Sequence, residues 1–247
     1  MRNARLKMLA VILGLPLGAH LAIAQANPVA DHLAACKAET GTPQEKVDAC
    51  SKAIADSKDD DIRAEALVQR GVLRESLDQR DEAIADYTEA IKIDATNPIA
   101  FFNRGNVYDQ QGKHDLAIAD YSEAIKLDPS DADVFNNRGQ AYDNAGQPDL
   151  AIADYTTAIG LAPTVARPFY NRALALFAKS DHKGSLADFD QAIKLEPNDS
   201  EAFANRAVVH EAMGNQAAAK ADYQQVLTLQ PTHNHAKEAL ARLTASN

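Results

Sequence analysis

An arginine recurs at a fixed interval of 34 residues through most of this chain, at Arg70, Arg104, Arg138, Arg172 and Arg206. An aspartate followed by an aromatic residue recurs with the same period, at Asp86, Asp120, Asp154, Asp188 and Asp222. An unbroken period of this size is typical of repeat proteins, in which each unit packs only against its neighbours. The period therefore predicts five units, which span residues 64–97, 98–131, 132–165, 166–199 and 200–233.

Each unit carries the pattern of two helices. In residues 98–131, apolar or small residues follow a helical spacing in each half, at Phe101, Gly105 and Tyr108 and then at Ala117, Tyr121 and Ala124. Gly112 separates the halves and Pro129 follows the second. Both residue types end helices, glycine because it accepts a positive φ and proline because it lacks an N–H donor. We therefore expect an all-α fold of antiparallel helix pairs.

The order of large and small residues in each unit resembles the tetratricopeptide repeat. A small residue follows the bulky residue of the first helix four positions later, at Gly71, Gly105, Gly139, Ala173 and Ala207. A proline closes the later units, at Pro129, Pro163, Pro197 and Pro231. The resemblance covers nearly all of the chain after residue 24. It implies a right-handed superhelical solenoid whose first helices line a concave groove that binds another protein.

Both ends of the repeat array depart from the pattern. Residues 25–63 look like a degenerate helical hairpin, with Cys50 and Ala53 in the places of the aromatic and the small residue. Residues 234–247 are predicted to form a capping helix, because a solenoid needs a polar outer face at its end. Lys220, which replaces an apolar residue in the last unit, agrees with a cap at that end.

The first 24 residues have the composition of a signal peptide. Arg2, Arg5 and Lys7 precede an apolar stretch, and a small-x-small cleavage pattern ends at Ala24, with an overlapping one at Ala26. Cleavage at either site predicts a periplasmic or secreted protein that is not inserted in a membrane afterwards.

The two cysteines, Cys36 and Cys50, are predicted to form a disulfide. The compartment inferred from the signal peptide is oxidising, and the spacing of the cysteines fits neither a C-x-x-C redox motif nor a zinc site. Their separation of fourteen residues is close to that of facing positions in the helix pairs of the regular units.

Charge and motifs exclude several functions. Residues 1–24 hold three basic residues and no acidic one, so the net charge of −10 becomes −13 after cleavage. An acidic protein of this kind repels phosphate backbones, so no nucleic-acid partner is expected. No phosphate-binding loop, metalloprotease motif or nucleophile elbow occurs, and we expect no catalytic residue, no cofactor and no metal site. His233 and His235 are better explained as loop residues than as metal ligands.

The recurring arginines and aspartates are predicted to form structural ion pairs, because partly buried charges are normally paired. Each arginine has an aspartate sixteen residues later within its own repeat, as in Arg70 with Asp86. The alternative pairs Asp86 with Arg104 across the repeat boundary, and the pairing within the repeat is favoured. Removal of the aspartate is expected to be more harmful than removal of the arginine, because it leaves an arginine unpaired in a packed interface.

An asparagine precedes four of these arginines, at Asn103, Asn137, Asn171 and Asn205. The resemblance places these residues in the concave groove, where an amide can both donate to and accept from a peptide backbone. A solvated polar face is the alternative. By the same resemblance, the neighbouring groove residues are Phe102, Asn106, Asp109, Gln140, Asp143 and Tyr170.

The expected partner is an extended protein segment that is neutral or basic. Relatives that grip a C-terminal carboxylate use lysines at positions that Val68 and Asn136 occupy here, and Arg167 is the one cation nearby. The favoured function is an exported interaction scaffold. Two alternatives are a non-catalytic regulatory subunit of a cell-envelope enzyme and a solenoid that assembles with copies of itself.

Overall fold

A computed structural model describes residues 27–245, which form thirteen α-helices and no strand. The signal peptide predicted for residues 1–24 lies outside the described residues. The helices are α1 (Pro28–Cys36), α2 (Pro43–Asp56), α3 (Asp60–Ser76), α4 (Arg80–Ile93), α5 (Pro98–Gln110), α6 (His114–Leu127), α7 (Ala132–Asn144), α8 (Pro148–Leu161), α9 (Ala166–Ala178), α10 (His182–Leu195), α11 (Ser200–Ala212), α12 (Gln216–Leu229) and α13 (Asn234–Ala245).

Both kinds of loop are set by local sequence. Within each of the five repeats, one residue between the two helices adopts a positive φ, and these residues are Asp78, Gly112, Gly146, Ser180 and Gly214. Between most repeats a polar side chain caps the next helix, as when the Asn97 carboxamide accepts a hydrogen bond from the backbone of Ile99 at 3.0 Å. Pro98 follows at the first helical position, where a missing N–H costs nothing. The exception is α9, which Val165 precedes without a side-chain bond.

Each helix packs against the one before it and the one after it, which gives a solenoid of helix pairs. Successive first helices, α3, α5, α7, α9 and α11, also contact one another, whereas successive second helices of the described residues make no comparable contacts. The first helices therefore lie on the inner side of the curve. The surface that they line is called the groove below.

In the first three repeats, the core is a tyrosine packed against a glycine. Tyr121 on α6 is 1% exposed, and a Cβ placed on Gly105 of α5 would lie 2.8 Å from its ring. Gly71 and Gly139 face Tyr87 and Tyr155 in the same way. Because no larger side chain fits between helix and ring, the glycines bring the two helices of a pair close together.

The N-terminal end departs most from the regular repeat. Helix α3 begins at Asp60, four residues before the start of the unit that the period predicts, because Asp59 caps it through hydrogen bonds from Asp61 and Ile62. The hairpin of α1 and α2 contains the predicted disulfide, with Cα atoms of Cys36 and Cys50 4.7 Å apart. Cys50 is fully buried where the later repeats bury an aromatic ring.

Candidate interaction surface

The arginine that recurs in each repeat binds the aspartate of the same repeat through two hydrogen bonds. In the third repeat, Nε of Arg138 lies 2.7 Å from one carboxylate oxygen of Asp154 and Nη2 lies 2.8 Å from the other. The same fork recurs in all five repeats, with N–O distances of 2.6–2.9 Å. Of the two pairings that the sequence allows, the structure contains the one within the repeat.

The remaining guanidinium nitrogen of each arginine joins one repeat to the repeat before it. Nη1 of Arg138 donates to Oγ of Ser122 at 3.1 Å, on the second helix of the preceding pair. The acceptors in the five repeats are Ser51, Thr88, Ser122, Thr156 and Asp190. The sequence analysis did not predict this series of acceptors. The signal was present, because the last four acceptors follow the aromatic residue at the same 34-residue interval.

Aromatic rings surround the guanidinium in the central repeats. The Cζ atom of Arg138 lies 5.7 Å from the ring centres of both Phe135 and Tyr142, and Arg104 lies similarly between two rings. The hydrogen bonds that the arginines donate to their paired aspartates raise the pKa of Arg104, Arg138, Arg172 and Arg206 above its ordinary value. The pairs are part of the interface between repeats, because Nη1 of each arginine also bonds to the preceding repeat.

Three asparagines of the groove donate hydrogen bonds to side chains on the preceding first helix. Nδ2 of Asn137 donates to Oδ1 of Asn106 at 3.0 Å, and Nδ2 of Asn171 donates to Oδ1 of Asn136 at 3.0 Å. Nδ2 of Asn205 donates to the Tyr170 hydroxyl at 2.8 Å. Each of these bonds crosses from one first helix to the next. One donor of each of these three amides is therefore used within the solenoid.

The row of asparagines at Asn103, Asn137, Asn171 and Asn205, called the ladder below, still has N–H donors for a ligand. An asparagine amide has two N–H donors, and one of them remains on Asn171 and Asn205 after the bonds to the neighbouring helix. Asn137 contacts the Tyr121 hydroxyl as well as Asn106. Asn103 makes no side-chain hydrogen bond with any residue in the range 27–245, and its side chain is half-buried. Gln140 is exposed and likewise has none within that range.

The acidic residues of the groove are partly engaged as well. Oδ2 of Asp143 accepts a hydrogen bond from the Tyr155 hydroxyl at 2.9 Å, and burial raises the pKa of Asp143. Oδ1 of Asp109 lies 2.7 Å from Nδ1 of His114. Phe102 packs against Tyr121 with ring centres 6.0 Å apart. Each of these three contacts joins the first helix of a repeat to the second helix of the same repeat.

The histidines in residues 27–245 have contacts with neighbouring protein groups. Residues 27–245 contain no cluster of three or more potential metal ligands. His233 accepts a hydrogen bond from the backbone of Ala236 and so caps α13, and His210 is half-buried with Nε2 4.0 Å from Asp222. No helix within the described part of the chain is both long and apolar enough to cross a membrane.

The geometry defines a class of protein, an α-solenoid whose regular charges hold the repeats together and whose inner surface is polar. Family models described as TPR repeat or tetratricopeptide repeat match residues 76–112, 105–146, 132–165, 166–199 and 189–221. The chain belongs to the tetratricopeptide-repeat family. Tetratricopeptide repeats form protein-interaction scaffolds, and the family supports that general class of function.

Solved structures share the fold. YrrB, described as a TPR protein with an unusual peptide-binding site, superposes with a TM-score of 0.67 and 23% identity over 78% of this chain and 98% of YrrB. A tetratricopeptide repeat protein from Parabacteroides merdae superposes with a TM-score of 0.68 and 16% identity over 89% of this chain and 100% of that protein.

MamA from Desulfovibrio magneticus RS-1 gives a TM-score of 0.64 and 20% identity over 70% of this chain and 98% of the MamA chain. No curated protein matches the sequence. At these identities the structural matches speak for the fold, and the function has to be argued from the groove of this chain.

Proposed function

We propose that this chain is an exported, non-catalytic scaffold that holds an extended segment of another protein in its groove. The observation that carries the proposal is the row of half-satisfied amides on successive first helices. An amide with one donor held by the protein and one donor left over is fixed in orientation before a ligand arrives, which lowers the entropy lost on binding. Amides bond to peptide groups regardless of side-chain identity.

The spacing of the row agrees with an extended ligand. Packed helices lie about 8–10 Å apart, and an extended chain advances about 3.3 Å per residue. One asparagine therefore meets about every third residue of a bound segment. YrrB, which shares the fold and has an unusual peptide-binding site, offers a precedent for a ligand of this kind.

The charges of the groove favour a neutral or basic segment. Arg167, the one cation expected near the groove, already pairs with Asp133 at 2.5 Å. Asp109 and Asp143 contribute acceptors on the same surface. Positive charge on the partner is complementary to this surface, and negative charge is repelled.

Export is proposed from the predicted signal peptide, and the disulfide supports it. A bond between Cys36 and Cys50 persists in an oxidising compartment and is rare where thiols are kept reduced. Fractionation of the producing cell, with sequencing of the N-terminus, tests this part. We expect the chain in the envelope or outside the cell with a start at Gln25 or Asn27, and recovery in the cytoplasm with an intact N-terminus would contradict it.

Site-specific cross-linking tests the groove. A photoreactive amino acid at Gln140, which is exposed on a first helix, is compared with the same group at Leu116, which is 50% exposed on the second helix α6. We expect cross-links to a partner protein from Gln140 and few from Leu116. The reverse result would place the binding surface on the outer side of the solenoid.

Substitution of the ladder gives an independent test. The variant Asn137→Ala with Asn171→Ala should weaken binding of the partner, since each lost hydrogen bond contributes about 0.5–1.5 kcal/mol. The sequence alone predicts nearly unchanged stability for this variant. Because both amides also join neighbouring helices, we now expect a lower melting temperature as well.

The control for the ladder is Asn103→Ala, which removes a groove amide that makes no bond within the described residues. This single change should weaken partner binding at an unchanged melting temperature. Unchanged affinity in both variants would mean that the amides serve the solenoid and that the ligand lies elsewhere.

A further inference from the structure

A small cavity opens at one edge of the groove, between the first turns of α5 and α7. Its volume is about 250 Å³, and it is lined by Ile99, Phe102, Ala124, Asp128, Asp131 and Val134. Sites for whole small molecules are typically larger, about 300–1,000 Å³. The size and the apolar walls instead suit one large side chain of a bound protein segment.

Ile99 shows that this opening is particular to one repeat. The equivalent residues of the other four repeats are charged, namely Glu65, Asp133, Arg167 and Glu201. Three of these form ion pairs, Glu65 with Lys37 and Asp133 with Arg167, while Glu201 lies 3.6 Å from Nε2 of His233. Ile99 breaks the series and is 56% exposed, more than any other large apolar residue of the described chain.

Two carboxylates stand at the rim without a cation. Oδ1 of Asp128 accepts two hydrogen bonds from Ser130, which hold the pKa of Asp128 below its ordinary value and keep it ionised. Oδ1 of Asp131 accepts a bond from the backbone of Asp133 and caps α7. The second oxygen of each carboxylate has no hydrogen-bond partner, and neither group forms an ion pair, among residues 27–245.

We propose that this cavity receives one large apolar side chain of the bound segment, while Asp128 and Asp131 pair with a lysine or arginine within two residues of it. The proposal rests on the proposed function, since it assigns a sequence preference to the same groove. The asparagine row holds the backbone of the segment, and the cavity fixes its register. The partner is therefore a segment in which an apolar and a basic residue are neighbours.

Three variants separate the parts of this site. Ile99→Glu places at this position the residue that Glu65 and Glu201 supply in other repeats, so the fold tolerates it. Asp128→Asn with Asp131→Asn removes both charges but keeps the acceptor oxygens that bond Ser130 and cap α7. Leu116→Glu is the matched control, an exposed leucine on the outer side whose counterpart one repeat earlier is Glu82.

The probe is a display library of random linear peptides, selected on the purified chain and on each variant. Affinities of the enriched peptides are then measured by fluorescence anisotropy. The chain should enrich peptides with an adjacent apolar and basic residue. Ile99→Glu should bind them at least about tenfold more weakly, because the buried contact of a large apolar side chain is lost. The variant Asp128→Asn with Asp131→Asn should bind these peptides more weakly, and its affinity should depend much less on salt concentration.

The outcomes distinguish the two proposals. If peptides are enriched but Ile99→Glu selects the same ones with equal affinity, or if they lack the apolar and basic pair, the cavity assignment is wrong and the groove function stands. If neither the chain nor its Leu116→Glu control enriches any peptide, the proposed function fails and the cavity assignment fails with it.

Discussion

Substitution of one arginine and of its aspartate, singly and together, tests whether the repeated ion pairs stabilise the solenoid. In the third repeat the two side chains are unequally buried, since Arg138 is 18% exposed and Asp154 is 8% exposed. Arg138→Leu leaves Asp154 without any hydrogen-bond donor. Asp154→Ala leaves Arg138 with its bond to Ser122 and with two aromatic rings.

Because Asp154 is more deeply buried than Arg138, we expect Arg138→Leu to destabilise the protein more than Asp154→Ala, the opposite of the order that the sequence suggests. Removal of one partner of a fully buried ion pair destabilises a protein by about 3–5 kcal/mol. Because Asp154 is nearly fully buried, we expect a loss of about 3 kcal/mol for Arg138→Leu. For Asp154→Ala we expect about 1–2 kcal/mol, because water and the remaining contacts screen the arginine. The double variant should recover part of the sum, with a coupling energy of about 1.5–3 kcal/mol.

Urea unfolding of the four proteins at neutral pH, followed by circular dichroism, measures this cycle. The matched control is Arg63 with Asp60, a pair on α3 whose side chains are 34% and 70% exposed, for which a coupling of about 0.2–1 kcal/mol is expected. If the effects at Arg138 and Asp154 add without coupling, or couple no more than the control pair, the argument from burial is refuted.

Three further results are expected. Gly139→Ala should destabilise by about 1–3 kcal/mol, because its Cβ would lie 2.7 Å from the Tyr155 ring, whereas Gly160→Ala, with open space around it, should stabilise by about 0.5–1 kcal/mol. Denaturant unfolding checks both, and equal effects would contradict the packing argument. Reduction of the bond at Cys36 should lower stability by about 3 kcal/mol and increase hydrogen exchange mainly in α1 and α2; uniform loss of protection along the solenoid would refute this. Because burial raises the pKa of Asp143, that group favours folding below its unfolded pKa and loses this contribution as the pH rises through the folded value. The stability of Asp143→Asn relative to the unsubstituted chain should therefore rise between about pH 3 and neutral pH. A difference in melting temperature that stays constant across that range would count against this.

The fold could be predicted because the period carries it. A 34-residue interval fixes the length of a helix pair, and Gly105 opposite Tyr121 fixes how closely the pair packs. The ion pairs were accessible for the same reason, since sixteen residues separate facing positions of the two helices. The start of α3 could not be read from the period, because Asp59 adds a capped turn that the other repeats lack.

The groove was harder to predict because its contacts depend on residues that break the period. The asparagines recur regularly, but their partners Asn106, Asn136 and Tyr170 do not, so the repeat alone cannot show whether an amide faces water or the next helix. Ile99 is likewise invisible to a search for regularity, since it is the one residue that departs from a charged series. Residues that recur in every repeat serve the packing of the repeats, whereas recognition of one particular ligand depends on the residues that differ along the groove. In this solenoid, stability therefore follows from the repeated residues, and any preference for one segment over another has to follow from the exceptions.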